Sequence, residues 1–308
     1  MKILLTGGTG MVGLNIREHD CARKYEIFAP DRSELDLMDG VAVFDFLNRI
    51  KPDLVIHAAG KVGGIQANIS EPTTFLSDNL TLGMNVVLAA RQAKIPRLLN
   101  LGSSCMYPRN APNPLAETSI LTGELEPTNE GYAIAKIACA KLCEYITREN
   151  PAYSYKTVIP CNLYGRHDKF DLKKAHMIPS VIRRVAEAVA TSANKISIWG
   201  DGTARREFMY AGDFASFVFY SVDNFDRMPP VMNVGLGHDF SIIEYYREIA
   251  GVVGFVGDFE HDLSKPSGMK QKLVDVTLLQ NFGWQPQISL RAGIALTFDY
   301  YKTEHKHD

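Results

Sequence analysis

A short apolar strand that runs straight into a glycine turn, and then into helical sequence, restricts this chain more than any other feature. Lys2 to Thr6 reads as a buried strand with Ile3-Leu4-Leu5 at its centre. Gly7-Gly8-Thr9-Gly10-Met11-Val12-Gly13 follows at once, and Leu14-Asn15-Ile16-Arg17 has helical character. Strand, glycine turn and helix are the parts of a dinucleotide-binding βαβ unit. In such a unit Gly7 makes the tight turn, Gly10 leaves room for a pyrophosphate against the backbone, and Gly13 lets helix and strand pack closely. The helix start then points unpaired N–H groups at the phosphates. The spacing is GxxGxxG rather than GxGxxG, and a glycine-rich turn without a ligand is the plainer alternative.

The alternation of strand and helix continues. Tyr25 to Ala29 is a second strand, ending in Pro30-Asp31-Arg32-Ser33. A carboxylate there would accept the ribose 2′-hydroxyl of NAD, and an Arg would pair with the 2′-phosphate of NADP. Asp31 and Arg32 offer both, and either also reads as an ordinary surface charge. Asp53 to Gly60 is a strand running into small residues, with His57 read as structural rather than catalytic. Phe75 to Ala93 reads as a long helix carrying Asn79 and Asn85, polar groups that need partners. Arg97 to Leu101 is the next strand, a helix runs from Tyr132 to about Glu149, and Lys156 to Pro160 is a further strand. Such alternation specifies an α/β fold, a doubly wound parallel (Rossmann) sheet with helices on both faces. After Gly165 the alternation breaks down, which predicts a smaller mixed C-terminal substrate domain. The expected division is 1–165, with about 207–235 returning to it, against 166–206 and 236–308.

Two stretches could carry chemistry. The fourth strand ends in Gly102-Ser103-Ser104-Cys105, which places hydroxyls and a thiol at a strand's C-terminal edge, where ligands of open α/β sheets bind. A turn or cap would also use these serines, and a buried small hydrophobe would account for the thiol. Tyr132 and Lys136 are four apart and share one helix face. An ammonium beside a phenol favours the phenolate and would lower the Tyr132 pKa. The spacing alone arises often by chance.

Composition sets outer limits. The 308 residues are 46% hydrophobic and 22% charged, with a net charge of −2. That suits a soluble globular protein and argues against bulk nucleic-acid binding. Cys21, Cys105, Cys139, Cys143 and Cys161 form neither a disulfide framework nor a zinc-ligand pattern. Reduced thiols, no leader and no run of 18 apolar residues predict a cytoplasmic protein with no membrane partner and no metal.

In this order, the glycine turn, Ser103, and Tyr132 with Lys136 resemble the extended short-chain dehydrogenase/reductase family, whose TGxxGxxG form Thr6 to Gly13 matches. Longer runs resemble the GDP-L-fucose synthase family within it. They include Lys61-Val62-Gly63-Gly64-Ile65, Leu101-Gly102-Ser103-Ser104-Cys105-Met106-Tyr107-Pro108, Leu125-Glu126-Pro127-Thr128-Asn129-Glu130, Asn162-Leu163-Tyr164-Gly165-Arg166-His167-Asp168, His176-Met177-Ile178-Pro179, Trp199-Gly200-Asp201-Gly202-Thr203 with Arg206-Glu207-Phe208, and Lys265-Pro266-Ser267-Gly268. The resemblance implies NADPH-dependent C3/C5 epimerisation and C4 reduction of a GDP-4-keto-6-deoxy sugar. It makes Ser103, Tyr132 and Lys136 the reductive triad, and Cys105 and His176 the epimerisation base and acid. It places Gly7, Gly10, Met11, Val12, Gly13, Arg32, Asn79, Lys136 and His176 at the cofactor, and Ser104, Asn162, Trp199, Arg206 and Lys265 at the substrate. It also implies a homodimer paired through the helices that begin near Phe75 and Tyr132. Thr9 stands where the family has an Arg, Asp31 stands beside Arg32, and Gly131 replaces a bulkier residue. NADPH remains the cofactor that the resemblance implies, with NADH the alternative. Relatives in capsule or lipopolysaccharide pathways act on GDP-4-keto-3,6-dideoxy-mannose or GDP-4-keto-6-deoxy-heptoses, some without epimerisation. A nucleotide-sensing protein on the same fold is the reading from a different class.

Overall fold

The computed structural model describes residues 1–172, 175–264 and 269–304. Strands β1 (Lys2–Thr6), β2 (Glu26–Phe28), β3 (Leu54–His57), β4 (Arg97–Leu101) and β5 (Ser154–Pro160) lie parallel in one sheet. The chain leaves it through β6 (Asn162–Tyr164), β7 (Lys195–Trp199), β8 (Arg205–Arg206) and β9 (Phe208–Tyr210), and returns with β10 (Val231–Val234) as the sixth strand. The order is β2-β1-β3-β4-β5-β10. Strand order reverses between β1 and β3, so a crevice opens there at the strands' C-terminal ends.

Alternation along each strand explains why helices cover both faces. Leu4, Val55, Leu98 and Tyr155 face one side, where they pack against α2 (Gly40–Ile50), α4 (Pro72–Gln92) and α5 (Glu130–Glu149). Ile3, Leu5, Ile56, Leu99 and Leu101 face the other and meet α1 (Met11–Glu18) and α7 (Ala211–Asp223). Each fully buried aliphatic side chain contributes about 1.5–3 kcal/mol relative to exposure. The short α3 (Ile65–Ser70), absent from the sequence reading, covers the crevice edge.

A second core gathers α6 (Met177–Ala190), α8 (Ile242–Val253) and α10 (Leu290–Glu304) around Tyr164, Ile198, Phe208 and Tyr245. Its sheets are small. β7 pairs with β12 (Asp258–Asp262), β6 with β9, and β8 with both β11 (Phe240–Ser241) and β13 (Gln271–Lys272). A capping box of Ser241 and Glu244 starts α8. One segment departs from the expected division. Val274, Leu279, Phe282 and Trp284, with α9 (Thr277–Phe282), pack in the large core rather than the small one. Leu115 bridges to Val274, so the long loop after β4 pulls this segment onto the main sheet.

The helix that carries Tyr132 is seated by close packing. At Gly83 in α4 an added methyl would strike Cys139 Sγ of α5. Gly83→Ala should therefore lower stability by about 1–3 kcal/mol in urea denaturation. Cys139→Ala removes the obstructing sulfur, so the double variant should recover most of that loss. Strict additivity of the two changes would contradict this packing.

Candidate active site

One cleft of about 1080 Å³ runs along the C-terminal ends of the main sheet and is closed on the far side by the smaller core. Its near end is the glycine turn. Gly7 has φ +75, and a Cβ there would press on the backbone of Ala59. A Cβ on Gly13 would collide with the Gly7 carbonyl and Gly8, so helix and turn touch backbone to backbone. Gly10 by contrast faces open space, with only the Gly7 carbonyl 3.5 Å from a hypothetical Cβ. The turn thus offers an open backbone cradle at the start of an eight-residue helix, which fits a dinucleotide pyrophosphate. Met11 and Val12 also line it.

At the next strand end the two candidate selectors differ. Asp31 Oδ1 accepts from Ser33 Oγ and Ser33 N, both at 2.7 Å, and from Glu34 N at 3.1 Å. The Ser33 hydroxyl bond, then the two backbone bonds, hold this carboxyl below its ordinary range. Its lone pairs serve its own turn. Arg32 is 84% exposed, with only a 3.8 Å contact to Asp36.

Asn79 is not where it was expected. It lies behind the wall, and its amide is fully engaged: Oδ1 accepts from Lys61 N, while Nδ2 donates to the carbonyls of Lys61 and Phe75. It shapes the Gly60–Lys61 loop rather than lining the cleft, because a mid-helix amide this deep must satisfy nearby backbone first. Asn85 likewise donates to the Leu37 and Met38 carbonyls. His57 is buried and bonded to Thr6 Oγ1 at 2.8 Å, with burial and then Lys136 pushing its pKa down to about 3. It is neutral and structural, as read from the sequence.

At the centre, Ser103, Ser104 and Cys105 leave β4 and face Tyr132 and Lys136 on α5. Ser103 Oγ accepts from Cys105 N at 3.3 Å. Lys136 is buried, donates to the Leu101 carbonyl at 2.9 Å, and sits 5.8 Å from the centre of the Tyr132 ring. Burial pushes the Lys136 ammonium down to about 8. The Tyr132 phenol moves opposite to expectation. Burial raises its pKa well above the ordinary value, Cys105 adds to that, and a Ser103 hydrogen bond opposes it. Desolvation disfavours the phenolate, and it is the largest influence on this group.

The far wall comes from the smaller core. His176 precedes α6, its pKa lowered by burial and then by Lys169. Asn162 donates to the Glu207 carbonyl at 3.0 Å, and Arg206 donates to the Arg205 carbonyl at 2.7 Å. Both line the cleft. Glu207, which stands in the Arg206-Glu207-Phe208 run but has no role assigned by it, anchors this wall. It is buried, accepts from the backbone N–H groups of Leu236, Gly237 and Val274, and is pushed up to about 7 by burial. Trp199 departs from expectation. It lies outside the cleft, 52% exposed, because the alternation of β7 turns Ile196 and Ile198 inward and Trp199 outward. Lys265 lies outside the described residues. Asn129, Asp168 and Lys272 line the cleft without having been singled out. Asn129 and Asp168 fall inside runs that carry the resemblance, whereas no motif marks Lys272.

The chain's likeness to known proteins agrees with this geometry. It is 53% identical over 308 residues to GDP-L-colitose synthase from Yersinia pseudotuberculosis, covering all of both chains. It is 47% identical over 302 residues to GDP-L-fucose synthase from Azorhizobium caulinodans, covering 98% of this chain and 96% of that one. Among solved structures, a GDP-mannoheptose C4 reductase from Campylobacter jejuni with NADP bound superposes with a TM-score of 0.86. That protein is 30% identical, and 98% of each chain is covered. The family model described as NAD dependent epimerase/dehydratase family matches residues 3–235, which hold the glycine turn, Ser103 and the Tyr132–Lys136 pair. The chain belongs to the NAD dependent epimerase/dehydratase family.

Proposed function

We propose that the protein is an NADPH-dependent enzyme that epimerises a GDP-4-keto-6-deoxy sugar at C3 and C5 and reduces its C4 ketone. One observation carries this reading: Cys105 and His176 share a cleft with Ser103, Tyr132 and Lys136. Plain reduction has no use for the first two. A C4 ketone acidifies the hydrogens on C3 and C5. Cys105 as thiolate takes a proton from such a carbon, and the C–H electron pair moves into an enolate whose charge rests on O4. Ser103 and Tyr132 hydrogen-bond that oxygen. His176 returns a proton from the opposite side, inverting the carbon. Bound NADPH supplies the hydride for the reduction, and Tyr132 gives O4 its proton. Lys136 holds the cofactor ribose, and Arg206 holds the GDP pyrophosphate with a planar fork suited to it.

The preference for NADPH over NADH rests on the contrast between Asp31, engaged in its own turn, and Arg32, free to reach a 2′-phosphate. The 53% identity to a GDP-L-colitose synthase supports a second substrate, GDP-4-keto-3,6-dideoxy-mannose, whose C3 carries no stereocentre. Five unpaired cysteines suit a cytoplasmic enzyme. No helix among the described residues is long and apolar enough to cross a membrane. The outward faces of α4 and α5 expose Met84, Leu88, Ile134 and Tyr145, which supports pairing of these helices in a homodimer.

Tyr132→Phe should cut turnover by about 10²–10⁴-fold while GDP-sugar binding, measured by calorimetry, persists. Turnover near the parent level would remove Tyr132 from the mechanism. Arg32→Ala should raise KM for NADPH about 10–100-fold and leave NADH little changed. Asp31→Ala should shift neither strongly, and a collapse of NADH use in Asp31→Ala would reverse the assignment. Incubation with NADPH, D2O and each of the two 4-keto sugars, followed by NMR of the products, should show C5 inversion with both. Deuterium at C3 should accompany it, with C3 inversion in the 6-deoxy sugar alone.

A further inference from the structure

Cys105 is gripped from two directions. Asn129 Nδ2 lies 3.2 Å from its sulfur and Lys272 Nζ lies 3.5 Å from it. Asn129 sits at the start of α5, on the large core's side. Lys272 belongs to β13, opposite Arg206 of β8. The backbone that follows Lys272 is fixed: Leu273 N donates to Asn113 Oδ1 at 2.8 Å, and Val274 N to Glu207 at 3.0 Å. Among the described residues no carboxylate forms an ion pair with Lys272. Both contacts to the sulfur come from donors, and one of them is cationic. An amide N–H and an ammonium thus converge on this sulfur as donors and, in the ammonium, as a counter-charge.

We propose that Lys272, assisted by Asn129, is the positioning residue that stabilises the thiolate form of Cys105 and aims it into the cleft. The proposal rests on the reading of Cys105 as the epimerisation base. Lys272 keeps its own proton throughout: the thiolate takes a proton from the carbon beside the ketone and becomes a thiol, while the C–H electrons pass to the enolate oxygen. The arrangement also ties base strength to assembly of the site, since the ammonium comes from the smaller core's side of the cleft and the sulfur from the end of β4.

The test needs no substrate. In a Cys21→Ser background, which removes the other cysteine that is not fully buried, Cys105 alkylation by iodoacetamide is followed against pH by peptide mass spectrometry. Lys272→Met should make alkylation about tenfold slower at neutral pH and move its midpoint to higher pH. Lys272→Gln keeps a polar stem without charge and should behave as Lys272→Met does, whereas Lys272→Arg should restore most of the parent profile. If the Met and Gln variants, with Cys139, Cys143 and Cys161 still protected, give the parent profile, the proposal is overturned. A shifted profile in an enzyme that puts no deuterium into either 4-keto sugar would support the pairing and overturn the functional reading instead.

Discussion

The hydrogen bond from Lys136 to the Leu101 carbonyl fastens the end of β4 to the first turns of α5. Everything at the centre of the cleft depends on it. Leu101 is the last residue of its strand, and Ser103 and Cys105 leave directly from it. Tyr132 is one helical turn before Lys136, so fixing the ammonium fixes the distance between phenol and serine hydroxyl. The bond comes at a cost. The ammonium is buried, with one carbonyl in place of a water shell, and its pKa falls from 10.5 to about 8. The unfolded chain holds the proton more tightly than the folded one between those values. The burden is therefore full below about pH 8 and lifts as pH rises towards 10.5.

Behind that ammonium the packing leaves no slack. Gly83 admits Cys139 without a methyl in between, and His57 is neutral and tied to Thr6 at the end of β1. A neutral imidazole suits this place, because a second cation beside Lys136 would repel it. The glycine turn at β1, the imidazole at β3, the serines at β4 and the lysine on α5 thus form one connected layer across the reversal of strand order. Its rigidity comes from close contact of small groups rather than from ion pairs, which here lie mostly at the exposed surface and contribute little.

Much of this layer was legible in the sequence, because it is built from local patterns. The glycine spacing, the small residues after β3 and the hydroxyls after β4 are contiguous runs whose geometry follows from chain chemistry. Less legible were features set by tertiary surroundings. The sign of the Tyr132 shift depends on burial, which the four-residue spacing does not reveal. Asn79 and Asn85, polar groups inside a helix, need partners, but only the fold shows that loop backbone and, for Asn79, the Phe75 carbonyl of its own helix supply them. Trp199 sits in a recognisable run, yet strand alternation turns it out of the cleft. Lys272 comes from a two-residue strand whose pairing with β8 no local pattern announces.

The two walls of the cleft therefore follow different construction rules. The cofactor wall is the edge of a six-stranded sheet with a large core on each face, and moving one strand there disturbs all of them. The sugar wall is assembled from β6, β8 and β13, pieces of two or three residues. What holds it is the buried carboxylate of Glu207, which collects backbone N–H groups from Leu236, Gly237 and Val274. A carboxylate with several such donors replaces the ladder that short strands cannot provide. Side chains on that wall, Arg206 and Lys272 among them, can change without altering the end of β4 and the start of α5, which position Ser103 and Tyr132. A change at Glu207 would shift all of them together. Variation in the sugar can thus arise beside a fixed reductase centre, provided the carboxylate that organises the wall is kept.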